Sequence, residues 1–277
     1  MLANLRALSR PLAVVVAITA LGYGCAAFNR LSTPSREDVL ASLLPSAVQI
    51  VLENPEGRRF RTGSGVIIAV RPTASGPADP AECFVLTSGH TVAGTTGQKA
   101  IYLLFGRQQG EGTKASAVVV AHRETAEVDV ALLRAESRDC VPARLAGAPS
   151  LGEPIWVLAF PWGRSMVLAG GIVSQVHGDS AADREPVSHF MVDASVSYGS
   201  SGGGVYEARS GGLIGLVEGY RTARVTSQGS ESPWYIDVPM PGHTLVTPLA
   251  NIQRFLADTG HADLIEGTPS PSRRAAR

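Results

Sequence analysis

Three polar residues stand out for what surrounds them. His90 closes the apolar run VLTSGHTV (85–92), Asp129 opens DVALLR (129–134), and Ser201 sits among glycines in DASVSYGSSGGGVYE (193–207). An imidazole, a carboxylate and a hydroxyl are the parts of an activated oxygen nucleophile. A seryl hydroxyl attacks weakly until a neighbouring base takes its proton. The carbonyl under attack needs donors aimed at its developing negative charge. Backbone N–H groups supply such donors where the chain turns sharply, and glycine permits the turn. Each piece alone also has a plainer reading: a strand-end histidine, a turn aspartate, a hairpin tip. Flanking strands expected at 192–194 and 205–206 argue against a linker. Other chemistry has little support. The six histidines are scattered without His-Glu-x-x-His spacing, the cysteines lack zinc spacing, and no lysine follows the glycine runs as in a phosphate loop. No metal or cofactor is expected.

These residues need elements to hold them. Alternation at 48–53 starts a series of short apolar runs: 65–70, 83–88, 100–105, 117–122, 129–134, 155–160, 166–176, 189–196, 203–208 and 212–220. Turn signals separate nearly all of them, which predicts an all-β sandwich or barrels. The pattern falls into halves that meet near 142–154. One helix is signalled, with Thr247 as N-cap, Pro248 at the first helical position, Leu249, Ile252 and Leu256 on one face, and Gly260 ending it. Residues 71–82 and 222–243 read as long surface loops, with Trp234 and Tyr235 expected to pack on the body of the domain rather than cover a groove. The expected organisation is an N-terminal segment (1–29), a polar linker (30–37), two halves (38–145 and 146–262) and a disordered tail (263–277).

Formal charge is zero but unevenly placed. Every acidic residue lies between Glu37 and Glu266, while Arg6, Arg10, Arg30, Arg36, Arg273, Arg274 and Arg277 lie outside, so the central span carries net −7. An acidic globule without a basic stripe is a poor nucleic-acid binder, and no nucleic-acid partner is expected. Arg6 and Arg10 precede the uncharged run PLAVVVAITALGYG (11–24), the layout of an export signal or of an uncleaved membrane anchor. Cys25 follows in LGYGC, similar to a lipoprotein processing box, although Leu21 is one place early and Tyr23 is bulky. The expected location is therefore extracytoplasmic, in a bacterial periplasm or envelope, with membrane attachment through the N-terminal segment. Cys83 and Cys140 are then either a disulfide or two buried core residues.

The order His90…Asp129…Ser201 resembles chymotrypsin-like serine peptidases, closest to the HtrA/DegP type. TGSGVII (62–68) resembles the strand before that family's histidine segment, and VLTSGHTV, DVALLR and DASVSYGSSGG its histidine, aspartate and nucleophile segments. AFPWGRSMVLAGGIVS (159–174) resembles the turn entering its second barrel, and TPLANIQRFL (247–256) its closing helix. The resemblance runs over residues 38–258 and implies two six-stranded antiparallel β-barrels with a C-terminal helix; the family's PDZ domain is not expected after that helix, where about 20 residues remain, far below domain size. It also implies an endopeptidase acting on polypeptides. Ser201 would be the nucleophile, His90 the base and Asp129 its orienting acid, with the N–H groups of Gly199 and Ser201 as oxyanion hole. Ser195, Val196, Ser197 and Tyr198 would line the pocket for the side chain before the cut, with a small or medium apolar preference. Leu216, Val217, Glu218 and Gly219 would pair with substrate backbone. Ser200, Gly89 and Gly204 depart from the family's asparagine or aspartate, alanine and proline, and are expected to loosen the site. The alternatives are a catalytically silent barrel that binds peptides or scaffolds a partner, and a lipoprotein with a structural role.

Overall fold

The computed structural model describes residues 34–73, 79–95, 100–106, 112–176, 189–227 and 234–266. The N-terminal apolar segment, Cys25 and the tail beyond 266 lie outside them. No helix among the described residues is long and apolar enough to cross a membrane. Contacts divide the chain into Met1–Asp38 and Val39–Arg277. In the first unit, Ser35 Oγ donates to Asp38 Oδ2 at 2.7 Å and accepts from the Asp38 N–H at 3.1 Å. This reciprocal cap holds the Asp38 carboxyl below its ordinary pKa and opens helix α1 (Arg36–Leu43).

Six strands close the first barrel: β1 (Ala47–Glu53), β2 (Arg59–Arg71), β3 (Ala81–Thr87), β4 (Ala100–Phe105), β5 (Thr113–Glu124) and β6 (Asp129–Ser137), in the order β1-β2-β3-β6-β5-β4. Six more close the second: β7 (Pro154–Ala159), β8 (Val167–Gln175), β9 (Phe190–Val192), β10 (Gly204–Glu207), β11 (Leu213–Thr226) and β12 (Tyr235–Pro248), in the order β10-β11-β12-β9-β8-β7. All pairings between these strands are antiparallel. Closure leaves neither sheet a long bare edge. Helix α2 (Gly89–Val92) follows β3, and α3 (Leu249–Asp258) and α4 (Asp263–Glu266) follow β12.

Alternation along the strands builds three apolar clusters. Val48, Ile50, Leu52, Val85, Leu103 and Leu133 fill the first barrel, and Val157, Val173, Val192, Val205 and Val246 the second. The third lies between the barrels, where Val66, Leu86 and Leu132 meet Leu158, Leu216 and the Ile252, Phe255 and Leu256 face of α3. Tyr206 is buried in this middle layer. Ser46 Oγ donates to the Leu43 carbonyl at 2.8 Å, so the Tyr206 hydroxyl 3.1 Å away donates to Ser46. Burial pushes the Tyr206 pKa far up.

Four readings of the sequence need correction. The described residues of the stretch 222–243 form a two-stranded ribbon rather than a loop, continuing β11 and β12 through pairs such as Arg224↔Asp237 and Val225↔Ile236; 228–233 lie outside the described residues. Pro239, Pro241 and Gly242 masked the strand signal; Pro241 and Gly242 fall at a register shift, where a missing N–H costs nothing. Trp234 and Tyr235 stand exposed on this ribbon instead of packing on the body. Asp263–Glu266, inside the expected tail, form a helical turn because Leu264 reaches the inter-barrel core. In the closing helix Pro248 is the N-cap, one residue later than read.

Candidate active site

Asp129 begins β6 where that strand passes beneath α2, the single turn that carries His90. The His90 N–H donates to Asp129 Oδ1 at 2.8 Å, and His90 Nδ1 stands 2.5 Å from Oδ2. The carboxylate is 6% exposed; engaging both oxygens offsets the cost of burying it. Its hydrogen bond holds the His90 pKa above the ordinary value, against the opposing pull of burial, and the charges of Asp129, Glu218 and Glu124 add to the rise. Arg61 Nη1 donates to the carbonyls of His90, Thr91 and Ala93 at 2.9, 3.3 and 3.0 Å, closing the end of α2. A Cβ on Gly89 would collide with the Arg123 carbonyl and lie 2.8 Å from Asp129 Oδ1. Glycine there tightens the His90–Asp129 contact, opposite to the loosening expected of it.

Ser201 sits in the turn between β9 and β10, where Gly199 (φ +86°) and Gly202 (φ +81°) take backbone angles that side chains disfavour. A Cβ on Gly202 would collide with the Ser64 carbonyl and Thr87 Oγ1. The first barrel grips this turn through Ser64. Its N–H donates to the Ser201 carbonyl at 2.8 Å. Its Oγ donates to the Gly199 carbonyl at 2.7 Å and accepts from the Phe160 N–H at 2.8 Å. Ser200 is buried, and its Oγ accepts from the Ser197 N–H at 3.2 Å. At Gly204 the Tyr206 ring occupies the space a side chain would need. None of the three departures leaves a gap.

Within this turn the Ser200 N–H donates to Ser197 and the Gly202 N–H to Val217, at 3.0 and 2.7 Å. The N–H groups of Gly199 and Ser201 donate to no acceptor among the described residues. Ser201 Oγ donates to the Glu218 carbonyl at 3.1 Å, and no hydrogen bond among the described residues joins it to His90. Both side chains nevertheless line one cleft of about 800 Å³, walled by Phe60, Arg61 and Thr91 on one side and by Trp162, Tyr198 and Glu218 on the other.

A family model described as trypsin-like peptidase domain matches residues 63–216, more than half of the chain. The chain belongs to the trypsin-like peptidase family. No curated protein matches it. Among solved structures, the serine endoprotease of Yersinia pestis is 18% identical with a TM-score of 0.54, over 84% of this chain and 68% of that one. The inactive form of the Rv3671c protease is 23% identical with a TM-score of 0.54, over 80% of this chain and 92% of that one. Both likenesses are of fold.

Within this trypsin-like frame the other named residues separate. Val196, Ser197, Tyr198, Gly199, Val217, Glu218 and Gly219 line the cleft. Ser195 is exposed elsewhere. Leu216 belongs to the inter-barrel core. Val217 is held at both ends, its N–H donating to Gly203 at 2.8 Å and its carbonyl accepting from Gly202 and from Ser88 Oγ at 2.7 and 2.9 Å. Both backbone groups of Val217 are thus already engaged within the domain. Glu218 is the bulged residue of β11. Thr247 Oγ1 donates to its Oε2 at 3.0 Å, and His189 Nε2 approaches the same oxygen at 2.5 Å without hydrogen-bond alignment. A carboxylate thus stands in the cleft wall although Ser195–Tyr198 contain none. Cys83 on β3 and Cys140 beyond β6 have Cα atoms 6.0 Å apart, within disulfide reach.

Sequence reasoning overlooked Ser64, Ser88, Arg61 and His189. Ser64 sits in TGSG, noticed only as part of a strand. Its partners lie 96 and 135 residues away, so no local pattern marks it.

Proposed function

We propose that the chain is an extracytoplasmic serine endopeptidase in which Ser201, His90 and Asp129 form the catalytic triad. The observation that carries this reading is the His90–Asp129 pair, bonded at 2.5 and 2.8 Å, facing the cleft that Ser201 also lines. When a peptide enters, the Ser201 hydroxyl turns from the Glu218 carbonyl to His90 Nε2. Its oxygen attacks the peptide carbonyl and its proton passes to the imidazole, whose positive charge Asp129 stabilises. The N–H groups of Gly199 and Ser201 receive the carbonyl oxygen as it becomes negative. The carbon–nitrogen bond then breaks, His90 gives its proton to the leaving amine, and an acyl-enzyme remains. Water, deprotonated by the same imidazole, releases the acid and restores Ser201.

Substrates of this reading are unfolded or misassembled polypeptides of the cell envelope, cut after small or medium apolar side chains. The N-terminal segment supplies the membrane attachment and Cys83–Cys140 a disulfide suited to an oxidising compartment. The test is digestion of a denatured protein by the wild type and by Ser201→Ala. The wild type should cleave, and the variant should lose on the order of 10⁶ in rate. Equal activity in the two would reject Ser201 as nucleophile. A wild type that binds peptide without cutting it would favour a silent binding domain.

A further inference from the structure

We propose that Trp162 is a positioning residue that sets the direction of the Gly199 N–H, and so holds one half of the oxyanion hole open before substrate arrives. The inference rests on the peptidase reading above. Among the described residues Trp162 is the one non-glycine residue with positive φ, at φ 57° and ψ 18°. A residue with a Cβ enters that region only when its surroundings over-determine it. Here the conformation sends the Trp162 N–H to the Tyr198 carbonyl at 2.7 Å. The Tyr198–Gly199 peptide is planar and trans, so its N–H points away from its own carbonyl. With the carbonyl drawn to Trp162, the Gly199 N–H faces the other way and finds no acceptor among the described residues.

Four further contacts hold the turn in place. The Trp162 ring meets the Tyr198 ring edge to face, with centroids 5.1 Å apart, and Tyr198 meets Tyr220 at 6.1 Å in the same manner. The next residue, Gly163 (φ +62°), presses against Thr62 so closely that a Cβ would lie 2.6 Å from its methyl group. Before the turn, Phe160 is buried and its N–H is held by Ser64. The indole itself is 62% exposed. Core burial therefore does not explain a tryptophan here, whereas an aromatic brace on the Tyr198 peptide does.

The experiment compares Trp162→Ala, Trp162→Gly and Trp162→Phe with the wild type. Two readouts are taken: kcat and KM on a peptide substrate, and inhibition by a peptide boronic acid, whose tetrahedral adduct puts an oxygen in the hole. Trp162→Ala keeps the strain and loses the brace. Its kcat and its boronate affinity should fall together by about tenfold to a hundredfold, short of the ~10²–10³ seen when a donor is deleted outright. KM should stay within about twofold, as expected when only transition-state binding changes. Trp162→Gly relieves the strain and keeps the N–H, and should fall less. Trp162→Phe restores an edge-to-face ring and should recover most of the loss. Trp162 also walls the cleft, so peptide binding is measured in a Ser201→Ala background, where the fall on adding Trp162→Ala should be smaller than the falls in kcat and boronate affinity. Because the indole is exposed, thermal unfolding should shift little and serves as the folding control. A loss confined to KM would make Trp162 a substrate contact and overturn the proposal, as would an unchanged kcat in Trp162→Ala. A wild type that neither cleaves nor takes up boronate would instead sink the peptidase reading on which the proposal stands.

Discussion

The two barrels contribute unequal halves of the cleft. In the first barrel the acid–base pair is complete: Asp129 receives both the backbone and the ring of His90, and Arg61 closes the turn behind it. In the second, the nucleophile turn is gripped through its carbonyls by Ser64, yet the Ser201 hydroxyl is bonded to Glu218. The difference locates what must move. On the proposed reading the base is fixed on one barrel, and the Ser201 side chain on the opposite wall must turn from Glu218 to complete the triad. Ser64 belongs to the first barrel and holds the turn of the second, so the halves are registered by hydrogen bonds as well as by the apolar layer between them.

Changes on either side of the cleft put this contrast to the test. With the Ser201 hydroxyl left in place, the largest effect is expected on the assembled side. Asp129→Asn keeps the shape of the pair but presents the wrong partner to the ring, and should lower kcat by about 10⁴, read in steady-state kinetics. A loss below tenfold would mean that the pair is not the working base. Ser64→Ala breaks the grip between the halves. It leaves the Gly199 carbonyl and the Phe160 N–H without their partner, and should cost about 1–3 kcal/mol per buried group in denaturant unfolding, with a drop in kcat.

A smaller effect concerns pH. His90 must be neutral to accept a proton, and Asp129, Glu218 and Glu124 hold its pKa above 6.5. Activity should therefore fall as pH drops through that raised value. Glu218→Gln removes one of these charges, so the acid limb of kcat/KM should move to lower pH; a shift to higher pH would contradict the charge assignment. The same raised pKa has the opposite sign for stability. Its contribution is complete below the unfolded value and is lost as pH rises through the folded one. The smallest change lies outside the cleft lining: Tyr206→Phe removes the donor to Ser46, whose own proton stays on Leu43, and should lower stability by about 1 kcal/mol with kcat intact.

Much of this was legible in the chain itself. β4 alternates buried and half-buried residues, while β1, β3 and β9 are buried on both faces and so stood out as short, nearly continuous apolar runs, which side-chain type records directly. The segments of His90, Asp129 and Ser201 stood out because the proposed chemistry requires those residue types beside glycine or apolar strand. What stayed hidden depends on distant partners. Gly89 reads as slack until the Arg123 carbonyl is seen against it, and Gly204 until the Tyr206 ring fills its space. Trp162 gives no sequence sign of positive φ, because its backbone angle is set by Tyr198 and Thr62 from other segments. The β12 half of the ribbon was lost to its prolines, whose cost depends on register, which a single strand does not reveal.

The most direct measurement of the central claim is the rate at which a fluorophosphonate labels Ser201 as a function of pH. The hydroxyl must lose its proton to His90 before it displaces fluoride. The rate should therefore rise through one ionisation above 6.5, collapse in His90→Ala, and vanish in Ser201→Ala. Labelling that is independent of pH, or that persists without the Ser201 hydroxyl, would contradict it.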